Sequence, residues 1–493
     1  MNKRLLFTIT LLLLFQNALG DQPNTDVPDK AFHNSVSIQA AELADLKNQL
    51  AVLSSKITKL DQHVVNVETT DISKHPEADE PGFPESALDG LTIYGQSTLI
   101  YQTSSLNLKV GDLKSSDGTN LPHATLETHQ HKSDAWTFSA DLIVEKKIGD
   151  FGYFLLDLQF ANGPGIDAPL QGGAMVNNDV MEYTQKHRQP YVAKAFYEHT
   201  ESVLDEYSLT IDIGKFGVND FFDVGVEVSD QTTQFLNQAI NNNGAFDYAQ
   251  DLEGHGYTYG FRIGLSNDLF GVDTAFFSSD DYIENIDKKY SVLVGVMFTP
   301  EWFPGLRSIY QVYGFNNFGE YARFDGEGNL ISKDSGSINT SSNSDNLNKT
   351  GFGISINQPI PHGINLFAKY GQQDDTRDVR HYQDMDETYM VGFDVLGENW
   401  SRNGDAIGIA YEIGRLTGNH RKANEKGYSG FFNRSGGIGT GNYEDERVLE
   451  IYYKYAITDN LNISADYQWI DNFYYSSVIG DVHFFAGRFN AFF

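Results

Sequence analysis

Three histidines within nine residues, His123, His129 and His131, and a fourth, His483, near the C-terminus are the side chains with the widest chemical reach in this chain. Beside a serine or aspartate a histidine would serve a hydrolase, and beside one another these could hold zinc or copper. The first three lie in a Gly- and Ser-containing stretch where solvated histidines are the simpler reading. No Ser-His-Asp group can be read from chain order, because such triads assemble in space. The chain contains no cysteine, which excludes a disulfide scaffold, thiolate metal sites and cysteine catalysis. The expectation is therefore a protein that is not an enzyme and has no metal site and no cofactor.

A second set of reactive side chains is distinguished by parity. Lys194 with Glu198, Arg262, Lys369, Glu412, and Glu450 with Lys454 each fall on the polar side of a segment that alternates with period two. Trp136, Phe138, Ala140, Leu142 and Val144 point one way, for instance, while Thr137, Ser139, Asp141 and Glu145 point the other. The same holds for Tyr257, Tyr259, Phe261 and Ile263 against Thr258, Gly260 and Arg262. It holds again for Ile463, Ala465, Tyr467 and Trp469 against Asn462, Ser464, Asp466 and Gln468. Acids opposite Trp and Leu require one wet face and one apolar face.

Sixteen such strands begin near Leu91, Asp134, Phe151, Pro190, Glu206, Gly256, Leu269, Lys289, Gly305, Gly351, Gly363, Glu387, Gly404, Glu446, Asn460 and Asp481. Their connections alternate. Lys146 to Asp150, Ser266 to Asp268, Pro300 to Pro304, Gln358 to His362 and Thr458 to Asp459 are short. Ser104 to Ser133, Ala161 to Gln189, Phe216 to His255, Asn317 to Thr350 and Leu416 to Asp445 are long. Tight turns on one side and long loops on the other are the habit of outer-membrane barrels, and an even strand count leaves both ends in the periplasm. The fold expected is all-β, an antiparallel transmembrane barrel of about 16 strands over 90–493. Fourteen or eighteen strands also fit the pattern, whereas a soluble β-sandwich would leave the loop asymmetry unexplained.

Composition agrees. Aromatic residues make up 13%, with 27 Tyr and 34 Phe, in a chain only 40% hydrophobic; its mean hydropathy is negative. A formal charge of −32 speaks against nucleic acid and against an anion channel, both of which need clustered Lys and Arg. Much of the acid lies in segments expected to be exposed loops, such as Gln373 to Asp378.

The N-terminal region reads differently. Leu5 to Phe15 is apolar behind Lys3 and Arg4 and ahead of Ala18-Leu19-Gly20, which is the pattern of a signal peptide over 1–20. Val36, Leu43, Leu50, Ile57 and Val64 fill one heptad position, and Leu46, Leu53, Leu60 and Val67 the other. This predicts a short α-helical coiled coil over 36–67 within a periplasmic region 21–68, a rod of roughly 50 Å. Pro76, Pro81 and Pro84 mark 69–89 as a linker.

Two patches carry a family resemblance. Ile213-Gly214-Lys215-Phe216-Gly217-Val218-Asn219-Asp220-Phe221-Phe222-Asp223, followed by Gln234-Phe235-Leu236-Asn237-Gln238-Ala239-Ile240-Asn241-Asn242-Asn243, resembles the carbohydrate-selective porins. So does Tyr453 to Leu461 leading to Asp466-Tyr467-Gln468-Trp469-Ile470. The coiled coil, found only in some porins, and Phe473 after Trp-Ile-Asp-Asn depart from the family pattern. The resemblance implies a Gram-negative outer-membrane channel for passive diffusion of small sugars. Sugars need polar side chains for their hydroxyls and aromatic rings for their C–H faces. It implies the parity-selected charges above as lumen candidates, joined by Lys215, with Phe216, Phe222, Asp223 and Phe235 if the third long loop folds inward. A general, mildly cation-preferring diffusion porin is the alternative, and an outer-membrane barrel hydrolase is a more distant one. A phosphate-selective porin would need a Lys and Arg ladder where Glu and Asp share the face.

Expected partners are outer-membrane lipid, the sugars, and two further copies in a homotrimer through the coiled coil and barrel walls, porins with such stalks being commonly threefold. Phe493, terminal on an alternating strand, resembles the signal read by the barrel insertion machinery. At this level Arg262→Ala is predicted to change sugar block of single-channel current more than barrel stability, and unchanged block would remove Arg262 from the lumen site.

Overall fold

The computed structural model describes residues 90–105, 134–163, 165–166, 175–177, 180–182, 185–203, 206–225, 228–247, 256–279, 283–331, 345–379, 385–426, 442–477 and 481–493. The expected signal peptide, coiled coil and linker, and His123, His129 and His131, lie outside them.

Eighteen strands follow in chain order: β1 (Leu91–Ser104), β2 (Asp134–Ile148), β3 (Gly152–Asn162), β4 (Tyr191–Val203), β5 (Tyr207–Gly217), β6 (Tyr257–Ser266), β7 (Phe270–Ser278), β8 (Tyr290–Phe298), β9 (Glu301–Phe303), β10 (Leu306–Arg307), β11 (Ile309–Tyr321), β12 (Asp345–Ile360), β13 (Ile364–Gln373), β14 (Glu387–Leu396), β15 (Ala406–Arg415), β16 (Glu446–Thr458), β17 (Leu461–Asp471) and β18 (Val482–Phe492). All but β9 and β10 form one closed antiparallel barrel, sealed by β1 against β18 from Gln96↔Phe492 to Ser104↔Phe484. Closure leaves no edge whose backbone groups would face hydrocarbon.

The sixteen barrel strands begin close to the positions expected from alternation, with two differences. The strand expected from Gly351 begins at Asp345, because its first residues pair with Tyr321 and Glu320 of β11 beyond the membrane-length core. The strand expected from Gly305 begins at Ile309, because residues 301–307 fold into the separate β9–β10 hairpin.

Parity sorts the side chains as expected. Ile213 is 59% exposed, Val391 58% and Val312 54% on the outer face. Thr137, Ser139, Asp466 and Gln468 are buried on the inner one. Tyr257 is an exception: its hydroxyl accepts from Gln159 Nε2 at 2.9 Å and its ring lies 5.5 Å from Lys194 Nζ, so this side chain turns toward the lumen mouth. His483, considered for catalysis, sits on the outer face with Nδ1 2.8 Å from the Tyr467 hydroxyl.

The acidic segment expected to be an exposed loop is packed instead. Asp378 is buried and accepts from Ala322 N at 2.8 Å, Asp374 pairs with Arg377, and Lys349 Nζ donates to the Asp378 carbonyl at 2.8 Å. These acids serve as acceptors for backbone amides and cations that the loops would otherwise bury unpaired.

The turn between β14 and β15 is braced by Asp405. Its carboxylate accepts from Arg402 Nε at 2.7 Å, the Tyr453 hydroxyl at 2.6 Å and Ala456 N at 2.9 Å. Burial opposes the charge, but these hydrogen bonds outweigh it and hold the carboxyl well below the usual carboxylate range. A folded value below the unfolded one, about 3.9, means the contribution is complete above roughly pH 4 and lost as pH falls toward the folded value. Asp405→Asn is predicted to lower the melting temperature at neutral pH, with parent and variant converging below about pH 4. Circular-dichroism melts across pH test this, and a gap independent of pH would exclude the ionised carboxylate as the brace.

Candidate functional site

The third long connection leaves β5, and its described residues 218–225 and 228–247 cross the barrel interior. Val218–Asp220 forms one tight turn in which Asp220 Oδ2 accepts from Gly217 N at 3.0 Å. Asp223 follows in the left-handed region at φ 62°, and its side chain is the first fastening. Its Oδ2 accepts from Lys369 Nζ at 3.0 Å and Asn243 N at 2.6 Å, and its Oδ1 from Ser355 Oγ at 2.5 Å. Lys369 Nζ also donates to the Asn241 carbonyl at 2.5 Å, so the buried Lys369–Asp223 ion pair is satisfied by further hydrogen bonds.

Further along, Gln311 Nε2 donates to the Phe221 carbonyl at 2.7 Å and Asn357 Nδ2 to that of Val224 at 3.0 Å. Arg488 donates to the carbonyls of Gln231 at 2.6 Å and Gln234 at 2.5 Å. Glu450 accepts from Leu236 N at 2.5 Å and Asn237 N at 2.9 Å. The loop's helical turn, Gln238–Asn241, is capped by the Asn237 side chain and meets the second long connection where Gln238 N donates to the Met175 carbonyl at 2.8 Å.

Inward glycines make room for this loop. A Cβ at Gly295 would come within 3.1 Å of the Phe222 ring, one at Gly408 within 2.8 Å of Phe235, and one at Gly371 would collide with the Asn243 amide. At these three positions the absent side chain leaves the space that the loop occupies.

The expected site residues divide accordingly. Lys369, Glu450 and Asp223 fasten the loop. Phe216, Phe222 and Phe235 are fully buried: Phe216 packs edge-on against Phe277 at 5.1 Å, and Phe235 against Tyr452 at 4.8 Å and Phe367 at 5.6 Å. They pack the loop against the wall. Glu412 is buried and accepts from Thr388 Oγ1 at 2.8 Å. Lys454 faces inward near the short-turn end, opposite Ala406 and Ser464.

Lys215 does not reach the lumen. It shares the outward parity of Ile211 and Ile213, donates to the Val192 carbonyl at 3.1 Å and lies 5.9 Å from the Tyr259 ring. Period-two geometry puts it opposite Phe216, so both could not face inward.

Lys194, Glu198 and Arg262 are brought together on the wall of β4 to β6. Lys194 Nζ is 2.7 Å from Asp220 Oδ1, and Glu198 accepts from the Tyr153 hydroxyl at 3.1 Å. Arg262 is clamped between Asp212 at 2.6 Å and Asp273 at 2.6 Å, with Phe221 4.1 Å from its Cζ. This geometry makes Arg262 a brace. Its removal leaves two buried carboxylates facing each other, so the loss of stability, about 3 kcal/mol, outweighs the effect on the permeant expected from sequence.

Beside them lies an open cleft lined by Ser139, Asp141, Gln159, Tyr191 and, from the crossing loop, Thr232. Gln96 Nε2 donates to Asp141 Oδ2 at 3.0 Å, Thr232 Oγ1 donates to Gln96 Oε1 at 3.2 Å, and the Tyr191 hydroxyl donates to Gln159 Oε1 at 2.6 Å. Of these, sequence parity had marked Ser139 and Asp141 as wet. Thr232, Tyr191 and the fastening Arg488 carried no signal, since nothing local says where a loop will land.

An edge-free antiparallel barrel, apolar outside, polar within and narrowed by an infolded loop, is an outer-membrane porin. Residues 137–493 match the family described as carbohydrate-selective porin, OprB family, and the chain belongs to that family. It is thus a carbohydrate-selective, non-enzymatic channel of the Gram-negative outer membrane. Among solved structures it is similar to the high-pH structure of Pseudomonas putida OprB, at 15% identity and a TM-score of 0.61 over 82% of this chain and 94% of that one. The low-pH structure of Pseudomonas putida OprB is similar at 12% identity and a TM-score of 0.44, over 82% of this chain and 93% of that one. The outer-membrane expressed OmpT of Vibrio cholerae is similar at 10% identity and a TM-score of 0.44, over 82% and 97%. No curated protein sequence matches the chain.

Lys369→Met is predicted to free the crossing loop: single-channel conductance rises and becomes noisy, and stability falls by about 3 kcal/mol because Asp223 stays buried without its cation. Quiet, parent-like conductance would mean that this pair does not position the loop.

Proposed function

We propose that sugars cross the lumen along the wall of β2 to β4, between that wall and the strip of crossing loop that carries Thr232. One asymmetry supports this reading. Most of the loop's fastenings lie on β11 to β13 and on β16 to β18, through Gln311, Ser355, Asn357, Lys369, Glu450, Gln468 and Arg488, whereas β1 and β4 contribute Gln96 and Lys194. The cleft lined by Asp141, Gln159, Tyr191 and Thr232 lies on the β2 to β4 side.

The residues there suit a polyhydroxylated permeant. Asp141 accepts, the Gln159 amide both donates and accepts, and the Thr232 hydroxyl does either. Tyr191 and Tyr257 supply rings for the apolar C–H face of a sugar. Lys194 and Glu198 continue the polar track on β4, and Lys454 faces the route nearer the periplasmic exit. Because each hydrogen bond exchanges with water, single contacts stay weak, which suits passage better than retention.

In the same reading the chain works as a homotrimer, with the 36–67 heptads and the outer wall as contacts, and Phe493 is the residue recognised by the barrel insertion machinery. The heptad pattern supports the first assignment, and the aromatic Phe493 that follows the alternating strand β18 supports the second.

Planar-bilayer recordings with glucose test the route. Asp141→Ala and Tyr191→Ala are each predicted to weaken current block by glucose about fivefold, the equivalent of one lost contact near 1 kcal/mol, while ionic conductance persists. Block equal to the parent in both variants would move the sugar path elsewhere.

A further inference from the structure

The connection between β8 and β11 differs from a tight turn in forming its own two-stranded sheet, β9 with β10. Gly305, at φ 77°, closes it, with its N–H donating to Glu301 Oε1 at 2.5 Å, and Ser308 N donates to the Pro300 carbonyl at 2.9 Å. The hairpin lies against the outer face of the barrel. Trp302 Nε1 donates to the Tyr310 hydroxyl at 2.9 Å, and the Trp302 ring meets Phe298 edge-on at 6.4 Å. Phe298 in turn stacks on Phe270 at 5.0 Å and on Tyr310 at 6.1 Å. Phe270, Phe298 and Tyr310 are all on outward-facing positions.

The neighbouring turn, between β6 and β7, is stitched to the hairpin. Thr299 N donates to the Leu269 carbonyl at 2.8 Å, and Arg307 Nη1 donates to that of Asp268 at 2.8 Å. Leu269, Phe270, Trp302 and Phe303 therefore form one exposed apolar surface, with Trp302 59% and Phe270 50% exposed and Arg307 exposed at its edge. This surface lies at the short-turn end of the barrel, the periplasmic rim, and continues into the lipid-facing row Val272, Val296 and Val312.

The order of groups along it is apolar wall, amphipathic indole, then a guanidinium, which matches acyl chain, glycerol backbone and phosphate in turn. Indoles settle at the headgroup level because one edge is apolar and the N–H can be satisfied. A guanidinium offers a fork of donors suited to phosphate. The geometry points to the β9–β10 hairpin as a seat for a phospholipid of the periplasmic leaflet, with the phosphate at Arg307 and the upper acyl chain along Trp302, Phe303 and Phe270. Continuity with the lipid-facing wall favours this occupant over a second copy of the chain.

The full-length protein with Trp302 as sole tryptophan, through Trp136→Phe, Trp400→Phe and Trp469→Phe, reports on the seat in bilayers. Phospholipid brominated near the glycerol end of its chains is expected to quench most of the Trp302 emission, and aqueous iodide very little. Should the triple replacement fail to insert, the same quantity is the difference between the parent and Trp302→Phe. Quenching by iodide and not by brominated lipid would place the hairpin in periplasmic water. Quenching by neither would place it against protein, and either result overturns the proposal. For the phosphate, native mass spectrometry with phosphatidylglycerol is expected to show about fivefold weaker retention in Arg307→Gln, whereas equal retention would remove Arg307 from the seat.

Discussion

Hydrocarbon offers no partner to a backbone N–H or C=O, and that constraint governs the rest of this molecule. It requires each strand to be paired on both sides, which the β1–β18 seam achieves. It also fixes the period of the sequence, because a strand with lipid on one face and water on the other must alternate at every step. Large apolar side chains such as Ile213, Val312 and Val391 therefore sit outside while Thr, Ser, Asp and Gln, with the aromatic rings that pack the loop, sit inside, and a middling overall hydropathy results from two different faces.

Closure creates a second problem, since a barrel of sixteen strands encloses more space than its own side chains fill. The crossing loop answers it. Its backbone carbonyls and amides enter the interior and find partners there: Arg488, Glu450, Lys369, Gln311 and Asn357 are donors or acceptors matched to particular loop groups. Charges that look from sequence like a sugar ladder are thus largely structural on one half of the wall. The opposite half, around Asp141, Gln159 and Tyr191, keeps its polar groups at an open cleft. The two halves of the cylinder thus differ in how far their polar groups are taken up by the loop.

The acidity of the chain has a related explanation. Asp212, Asp223, Asp378 and Asp405 are buried acceptors, each holding a cation or an amide that would otherwise be buried unsatisfied. Carboxylates suit this task because two oxygens can join elements far apart in the chain, as Asp223 joins Lys369, Ser355 and Asn243. Loops between barrel strands gain order from such polar joints where an apolar core is small.

Alternation and loop asymmetry were enough to give the barrel and to place most of its strands to within a few residues, and the Gly-Lys-Phe and Gln-Phe-Leu-Asn patches pointed to the family and, through it, to sugars. Those properties are local: strand parity is set by neighbours one residue apart, and a turn by a handful. The chain alone could not say that Lys215 faces outward beside Tyr259, that Arg262 is clamped by Asp212 and Asp273, or that Phe216, Phe222 and Phe235 are fully buried. Each of these depends on where a segment lands against strands remote in sequence. Parity names a face, but which inward side chain stays open to a permeant is decided only when a folded loop has taken its partners from the wall.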